Sequence, residues 1–344
     1  ALTGLAEQGQ LDRDFADYQE YKTYLVPLGI KTIRLQGGWA KTERIQGTHD
    51  FTWLDTIVDD ARARGLNILL ETDYGNPVYP GGGGPDLAGG FPTSDEALAA
   101  WDRWVAALAT HYRGKVRDWA MWNEPDINKR HTPEDIAVFN IRTAETIRRV
   151  IPDARIAGLS LASSSPTRLD DCLKALAARG KVDLFHWFIY HGYELNPDTS
   201  YPKVEQLKAT LARYSTSARM RQGENGCPSE WTTKFALSKH PWTETSQAKW
   251  NLRRMLGDLG HDVESAVFTI CDFNHVGREI NRKGLLRASA DRKVEKIKLA
   301  YYAVQNAVAV FDDTLERFPD PALRVTAATS TACFAYRNKS TRKN

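Results

Sequence analysis

Segments with helical spacing of apolar residues alternate with short apolar runs along most of the chain, and this alternation restricts the fold more than any single motif does. "DFADYQEYKTYLVPLG" has the helical spacing and stops at Gly29, after which "IKTIRLQ" reads as a strand. "FTWLDTIVDDARARG" is again helical and closes on Gly65 before the strand "LNILLET". "SDEALAAWDRWVAALATHYRG" then precedes the strand "KVRDWAMW", and "TPEDIAVFNIRTAETIRRV", with a threonine cap and a proline in its first turn, precedes "ARIAGLSL". Helix "TRLDDCLKALAARG", strand "VDLFHWFIY", helix "YPKVEQLKATLARYS", strand "ARMRQGE", helix "TETSQAKWNLRRMLGDLG", strand "ESAVFTICDF" and helix "RKVEKIKLAYYAVQNAVAVF" complete the series. Seven strand–helix pairs therefore follow an opening helix. Buried strands separated by helices demand a parallel sheet covered on its outside, and this number points to an α/β fold of the (β/α)8 TIM-barrel type rather than an open doubly wound sheet.

Both ends depart from that pattern. "ALTGLAEQGQLD" contains no strand run, so the first barrel strand is expected upstream of Ala1 or hidden in the residues before about Asp12. "DPALRVTAATSTACFAYRN" alternates like two short strands and then stops, which predicts a small, incomplete β-rich appendage. The expected division is a barrel over 1–315 and part of a C-terminal β element over 316–344, as in a piece of a longer chain. Charge is balanced, 46 basic against 43 acidic residues spread along the sequence, so no basic stripe suggests nucleic acid. No apolar run reaches the roughly 18 residues of a membrane span. No signal peptide begins at Ala1, but a mature secreted chain would have lost it; a secreted or periplasmic location is favoured over a cytoplasmic one. Oligomeric state is not legible. The four cysteines are too scattered for a disulfide framework, although Cys227 and Cys271 follow neighbouring strands and could meet.

In a barrel of this type the active site lies at the C-terminal ends of the strands. Val116, Trp119, Met121 and Trp122 read as a buried strand, and Glu124 stands just past its end, before Pro125. Alone, Glu124 could be an ordinary solvated turn residue. The seventh strand, however, runs into "MRQGENGCPSE", which puts Glu224 at its end. In a closed barrel both glutamates face one mouth. Two carboxylates flanking one cleft are what glycosidic bond cleavage requires: one protonates the leaving oxygen and the other attacks the anomeric carbon.

"WNEP" after the fourth strand and "GENG" after the seventh resemble the signature of the clan A glycoside hydrolases, retaining enzymes on a (β/α)8 barrel, over roughly residues 13–312. The resemblance implies that Glu124 is the acid/base and Glu224 the nucleophile, with their carboxylates about 5 to 5.5 Å apart. It implies that Asn123 binds the sugar 2-hydroxyl and that Arg34 in "IRLQGGW" contacts the nucleophile and holds it ionised. "GWAKTERIQGTHDFTWLDTIVDDARARGLNILLETDYGNPVY" is most similar to glycoside hydrolase family 39 and its relatives. His191 and Tyr193 in "IYHGY" match a His-x-Tyr element of such enzymes, with Tyr190 competing for the tyrosine's place. Many clan members carry a tryptophan at the eighth strand under the −1 sugar; here "FTICDFNH" offers Phe273, Asn274 or His275, which leaves the sugar open.

Asp73, Tyr74 and Asn76, past the third strand, could bind sugar hydroxyls or only shape the turn. Trp39, Trp122, Trp187 and Trp231 could stack on sugars or pack in the core, and Trp39 is the foremost subsite candidate. "GGGGPDLAGG" lacks the Lys-Ser/Thr of a phosphate loop and fits a flexible rim loop. The eight histidines show no His-Glu-x-x-His spacing, and neither a metal nor a cofactor is expected. The expected function is retaining hydrolysis of β-linked O-glycosidic bonds in an oligo- or polysaccharide. A transglycosylase using the same glutamates, or a noncatalytic carbohydrate-binding barrel, is the alternative.

Overall fold

The computed structural model describes residues 15–274, 279–318, 326 and 332–341, and the backbone of residues 2–3. After β1 (Leu2–Thr3), α1 (Tyr18–Leu25) leads into β2 (Thr32–Gln36), and α2 (Trp39–Thr42) and α3 (Thr52–Ala63) precede β3 (Asn67–Thr72). The alternation continues with α4 (Asp95–His111), β4 (Asp118–Met121), α5 (Pro133–Val150), β5 (Arg155–Leu161), α6 (Pro166–Ala177) and β6 (Trp187–His191). It ends with α7 (Tyr201–Ala212), β7 (Arg219–Glu224), α8 (Glu244–Gly260) and β8 (Val267–Phe268), then β9 (Leu286–Ala288), β10 (Val294–Ile297) and α9 (Leu299–Val310). Two further short strands, β11 (Leu315–Arg317) and β12 (Tyr336–Asn338), pair antiparallel outside the main sheet.

The main sheet has the order β7-β6-β5-β4-β3-β2-β1-β8 and its ladders are parallel. This is a TIM-barrel type of topology, with sequential strands adjacent and helices between them. Arg221 of β7 also bridges to Glu264, just before β8, and the Gln222 N–H donates to the Glu264 carbonyl at 3.1 Å. β2 to β7 are buried along nearly their whole length, as expected for a parallel sheet covered on both faces.

One alternative for the first strand, that it hides before Asp12, is met, and two expectations need correction. A strand does occupy the place beside β2: Leu2–Thr3, too short to show any periodicity in the sequence, pairs with both β2 and β8. The eighth strand is only Val267–Phe268; the chain beyond it turns away, and Phe273 bridges to Asn281. The first part of "RKVEKIKLAYYAVQNAVAVF" is the strand β10, with the helix starting at Leu299. Most of "DPALRVTAATSTACFAYRN" lies outside the described residues. Phe334, which is described, stacks edge-on against His261 at the end of α8, and a Cβ on Gly260 would stand 2.2 Å from its ring. Cys227 and Cys271 are buried free thiols.

Helix ends follow local chemistry. Thr132 and Asp135 form a reciprocal capping box at α5, with Pro133 in its first turn, and the Ser94 hydroxyl accepts from the Ala97 N–H at the start of α4. Between β2, α4 and α5 an aromatic cluster fills the wall: Trp101 lies 5.3 Å from Trp39, 5.0 Å from Trp104, 5.7 Å from Trp122 and 4.9 Å from Phe139. Two of its indole N–H groups find buried acceptors, Trp101 on Thr143 at 2.9 Å and Trp104 on Thr42 at 2.8 Å. Trp101→Ala removes the ring at the centre of this cluster and is expected to cost about 3–5 kcal/mol. Urea unfolding followed by tryptophan fluorescence checks this; a loss below about 1 kcal/mol would show that the cluster does not hold the wall together.

Candidate active site

The site begins with a charge placed on a strand. Arg34, on β2, is buried, and its guanidinium donates to Glu71 Oε1 on β3 at 2.5 Å, to Asn123 Oδ1 after β4 at 2.6 Å and to Glu224 Oε2 at the end of β7 at 3.1 Å. Two carboxylates flank it, and their charge raises its pKa against the opposing effect of burial. The Asn123 amide also donates to the Tyr74 hydroxyl at 2.9 Å, and Gln36 donates to the same hydroxyl at 3.2 Å and to Glu71 at 3.4 Å. Burial pushes the pKa of Glu71 up although Arg34 opposes it, and burial with the Glu71 charge pushes Asp73 well up.

Glu124 sits in the left-handed region at φ 48°, following Trp122 at φ 59°. Non-glycine residues are seldom found there, at a cost of about 1–3 kcal/mol each, and such residues persist where their surroundings over-determine them. Here the Trp122 N–H donates to the Thr72 carbonyl at 3.0 Å, the Glu124 N–H donates to the Ser160 carbonyl at 2.9 Å, and the Trp122 ring is wedged against Phe91 and Tyr74. The turn delivers the Glu124 carboxylate to His191 Nδ1 at 2.7 Å, and the same nitrogen is 3.9 Å from Glu224 Oε2. The Tyr193 hydroxyl donates to Glu224 Oε1 at 2.7 Å. Burial alone would raise the pKa of Glu224. The charges of His191 and Arg34 and the hydrogen bonds from Tyr193 and Arg34 outweigh it and hold the carboxyl below its ordinary value.

One ligand atom each from Glu124, His191 and Glu224 lie within 4.8 Å of one another, so among the described residues these three could also hold a metal ion. The guanidinium hydrogen-bonded to Glu224 weakens that set for a cation, because its fixed positive charge stands beside one of the ligands. A cavity of about 850 Å³ opens over the carboxylates, lined among others by Tyr74, Asn123, Tyr193, Phe235, Phe268 and Lys283.

Of the residues expected from sequence, Glu124, Glu224, Asn123, Tyr74, His191 and Tyr193 line this cavity, and Arg34 lies behind it. His191 directs a ring nitrogen at Glu124, and Tyr193 rather than the core residue Tyr190 meets Glu224. Four candidates are not on the cavity. Trp39 is fully buried, stacked between Tyr79 and Trp104, with its N–H on Glu43 at 2.6 Å; it follows β2 but turns into the wall. Asn76 binds the Glu43 carbonyl at 2.8 Å and shapes its turn, while Asp73 is buried against the Gly38 N–H at 3.4 Å. Asn274 donates to the Ala290 carbonyl beyond the shortened eighth strand, so Phe268 takes the wall that Phe273, Asn274 or His275 was expected to form. His275 lies outside the described residues. Trp122 is core, and Trp187 starts β6 at the opposite end of the sheet between Arg155 and Arg221. Trp231 is 59% exposed on the loop after β7.

The glycine run is a rim loop, but a tightly bonded one. The Gly75 N–H donates to the Gly84 carbonyl and the Gly84 N–H to the Gly89 carbonyl, both at 2.9 Å. A Cβ on Gly84 would lie 2.7 Å from the Gly89 Cα, which is why two backbones can meet there only as glycines. Sequence reasoning missed Glu71, Gln36 and Lys283. A lone carboxylate in the apolar run "NILLET" was the available signal for Glu71; no local pattern marks Lys283.

Residues 8–80 match the model of glycoside hydrolase family 42, described as beta-galactosidase. The beta-galactosidase BgaA of Clostridium cellulovorans is 37% identical over 51 residues, 14% of this chain and 8% of that protein. A family 39 glycoside hydrolase from Bacteroides cellulosilyticus WH2 superposes with a TM-score of 0.69 at 19% identity, over 88% of this chain and 64% of that one. The chain has the fold of the family 39 glycoside hydrolases. A monomeric beta-xylosidase from Caulobacter crescentus CB15 also shares it, at TM-score 0.64 and 17% identity over 88% of this chain and 68% of that one. The chain thus spans just under two thirds of the first of these structures.

Tyr193→Phe removes one of the hydrogen bonds that keep Glu224 ionised, so the Glu224 pKa is expected to rise. In the wild type the stability contributed by its depressed pKa is present above the unfolded-state value and is lost as pH falls through the folded one; in Tyr193→Phe the loss begins at higher pH. A ¹³C titration of the glutamate carboxyls reads the shift directly. An unmoved Glu224 midpoint would mean that the tyrosine does not set its charge.

Proposed function

We propose that the chain is a retaining glycoside hydrolase that cleaves β-linked O-glycosidic bonds of an oligo- or polysaccharide by double displacement. Glu224 is the nucleophile and Glu124 the acid/base. The observation that carries this reading is the pair of carboxylates at the ends of β4 and β7, reaching to within 4.8 Å across one cavity. Inverting enzymes need about 6.5–9.5 Å between such groups to seat a water, whereas retaining ones bring them to about 5–5.5 Å. The environments divide the roles. Glu224 takes two hydrogen bonds that favour its charged form, as an attacking carboxylate needs. Glu124 is held by His191 and by its strained turn on the opposite side, where a leaving oxygen could take its proton.

Asn123, fixed by Arg34 and Tyr74, lines the cavity where a sugar hydroxyl beside the anomeric carbon would lie. The beta-xylosidase and beta-galactosidase likenesses favour β-linked substrates. We take the sheet as a complete eightfold barrel over 1–315, with 316–344 as part of a C-terminal β element. A noncatalytic binding barrel would have no use for an ionised Glu224 facing Glu124, and the buried Arg34 network is hard to account for without it.

With an aryl β-glycoside bearing a good leaving group, Glu124→Ala is expected to slow deglycosylation by about 10²–10⁴-fold, and azide should restore turnover with a glycosyl azide as product. A mechanism-based fluorosugar should label Glu224. Azide without effect would remove Glu124 from the acid/base role, and a panel on which nothing turns over and nothing labels would leave the binding barrel.

A further inference from the structure

Lys283 is a buried cation on the cavity wall, near Glu224 but without an ion-pair or hydrogen-bond partner among the described residues. It is 1% exposed and lines the same cavity as Glu224. Its ammonium lies 5.7 Å from the centroid of the Tyr193 ring and 5.8 Å from that of Phe235, and among the described residues it makes no ion pair and no side-chain hydrogen bond. Where this chain buries a lysine for structure alone, it provides partners: Lys298, equally buried, meets Asp272 at 2.6 Å and the Ser229 hydroxyl at 2.9 Å. Two residues before Lys283, Asn281 also lines the cavity and its Oδ1 is buried without a hydrogen-bond partner. An ammonium without a hydrogen bond and an amide oxygen without a partner, two residues apart in sequence and lining one cavity, carry a desolvation cost that an anionic, hydroxyl-bearing ligand would offset.

The position is specific. Lys283 lies against Tyr193, whose hydroxyl is bonded to Glu224, so it is one ring away from the carboxylate proposed to attack the sugar. The titratable groups facing it are Glu224 and Cys227 from the β7 side and Tyr193 after β6. Burial brings its pKa down to about 8, against the attraction of Glu224.

We propose that Lys283 recognises an anionic oxyacid group, a carboxylate or a sulfate ester, on the sugar bound beside Glu224, with Asn281 Oδ1 accepting from an adjacent hydroxyl. The substrate is then a hexuronide or a sulfated hexoside, not a neutral glycoside, an inference that rests on the glycoside hydrolase reading of the same cavity. A neutral sugar would leave the ammonium dry and unpaired. A carboxylate or sulfate supplies a charge-assisted acceptor in a water-poor site, where such a bond discriminates strongly.

The test uses matched aryl β-hexuronides, 6-O-sulfated aryl β-hexosides and neutral aryl β-hexosides in gluco, galacto and manno configurations, with wild type, Lys283→Met and Lys283→Arg. One anionic series should exceed its neutral counterpart by about 100-fold or more in kcat/KM. Preference for the hexuronides identifies a carboxylate, and preference for the sulfated series a sulfate. Lys283→Met should reduce the preference by about 30-fold or more, and Lys283→Arg should keep most of it. In the wild type, kcat/KM for the anionic series should fall as pH rises through about 8, because the lysine loses its proton, and this limb should vanish in Lys283→Met. Preference for neutral substrates, or an equal loss on both series in Lys283→Met, would overturn the proposal and leave Lys283 as a support for Glu224. If no substrate is turned over, the hydrolase reading fails separately. Calorimetry with methyl β-hexuronides, their neutral counterparts and 6-O-sulfated methyl hexosides then decides the anion question: a preference that depends on Lys283 upholds it, and none overturns it.

Discussion

One guanidinium organises the mouth of this barrel-type sheet. Arg34 reaches from β2 to Glu71 on β3, to Asn123 beyond β4 and to Glu224 ending β7, so a single side chain sets the spacing of four strand ends. The arrangement works only as a set. A buried arginine without its carboxylates, or either carboxylate without the arginine, would be an uncompensated charge in a dry interior. Because two carboxylates share one guanidinium, negative charge remains, and it falls on neighbours: burial and the Glu71 charge push Asp73 well up, and Tyr74 rises with it. Arginine suits the place better than lysine because its planar fork can serve several acceptors at once.

Around that centre the protein stores strain and holds it with packing. Trp122 and Glu124 occupy backbone conformations that side chains disfavour, and the turn persists because Trp122 is locked among Phe91, Tyr74, Trp101 and Phe139. The aromatic cluster on the α4–α5 side therefore does more than fill volume. It fixes the direction in which Glu124 leaves β4. The rim loop after β3 is similarly tight, its glycines allowing two backbones to meet at hydrogen-bonding distance.

The cavity above has an electrostatic asymmetry that the fold alone does not explain. On the Glu124 side lies His191, and on the Glu224 side lie Arg34, Tyr193 and, beyond the tyrosine ring, the unpaired Lys283. The solved structures and curated proteins of similar fold or sequence include a beta-xylosidase and a beta-galactosidase. Identity to the structures is under a fifth, so the shape of the barrel passes between them far more readily than the chemistry of its walls.

The sequence by itself determined the alternation of helices and strands, because apolar spacing and glycine stops are local and dense enough to read. It also placed Glu124 and Glu224, since one stands just past the end of a strand and the other at a strand's last position, and a parallel barrel turns that local fact into a shared mouth. Tertiary structure decided the rest. A two-residue strand at Leu2–Thr3 has no periodicity to detect, and its pairing exists only because β2 and β8 leave a place for it. Trp39 and Asn274 follow strand ends as plausibly as Glu124 does, yet one turns into the wall and the other follows a strand that stops at Phe268. Whether a polar residue near a strand end faces the cavity or the core depends on a few backbone angles and on the side chains brought up from distant segments. For the same reason Lys283 was invisible in "NRKGLL": its burial, its aromatic neighbours and its lack of a partner come from β6, β7 and the loop beyond, 48 to 90 positions away in the chain.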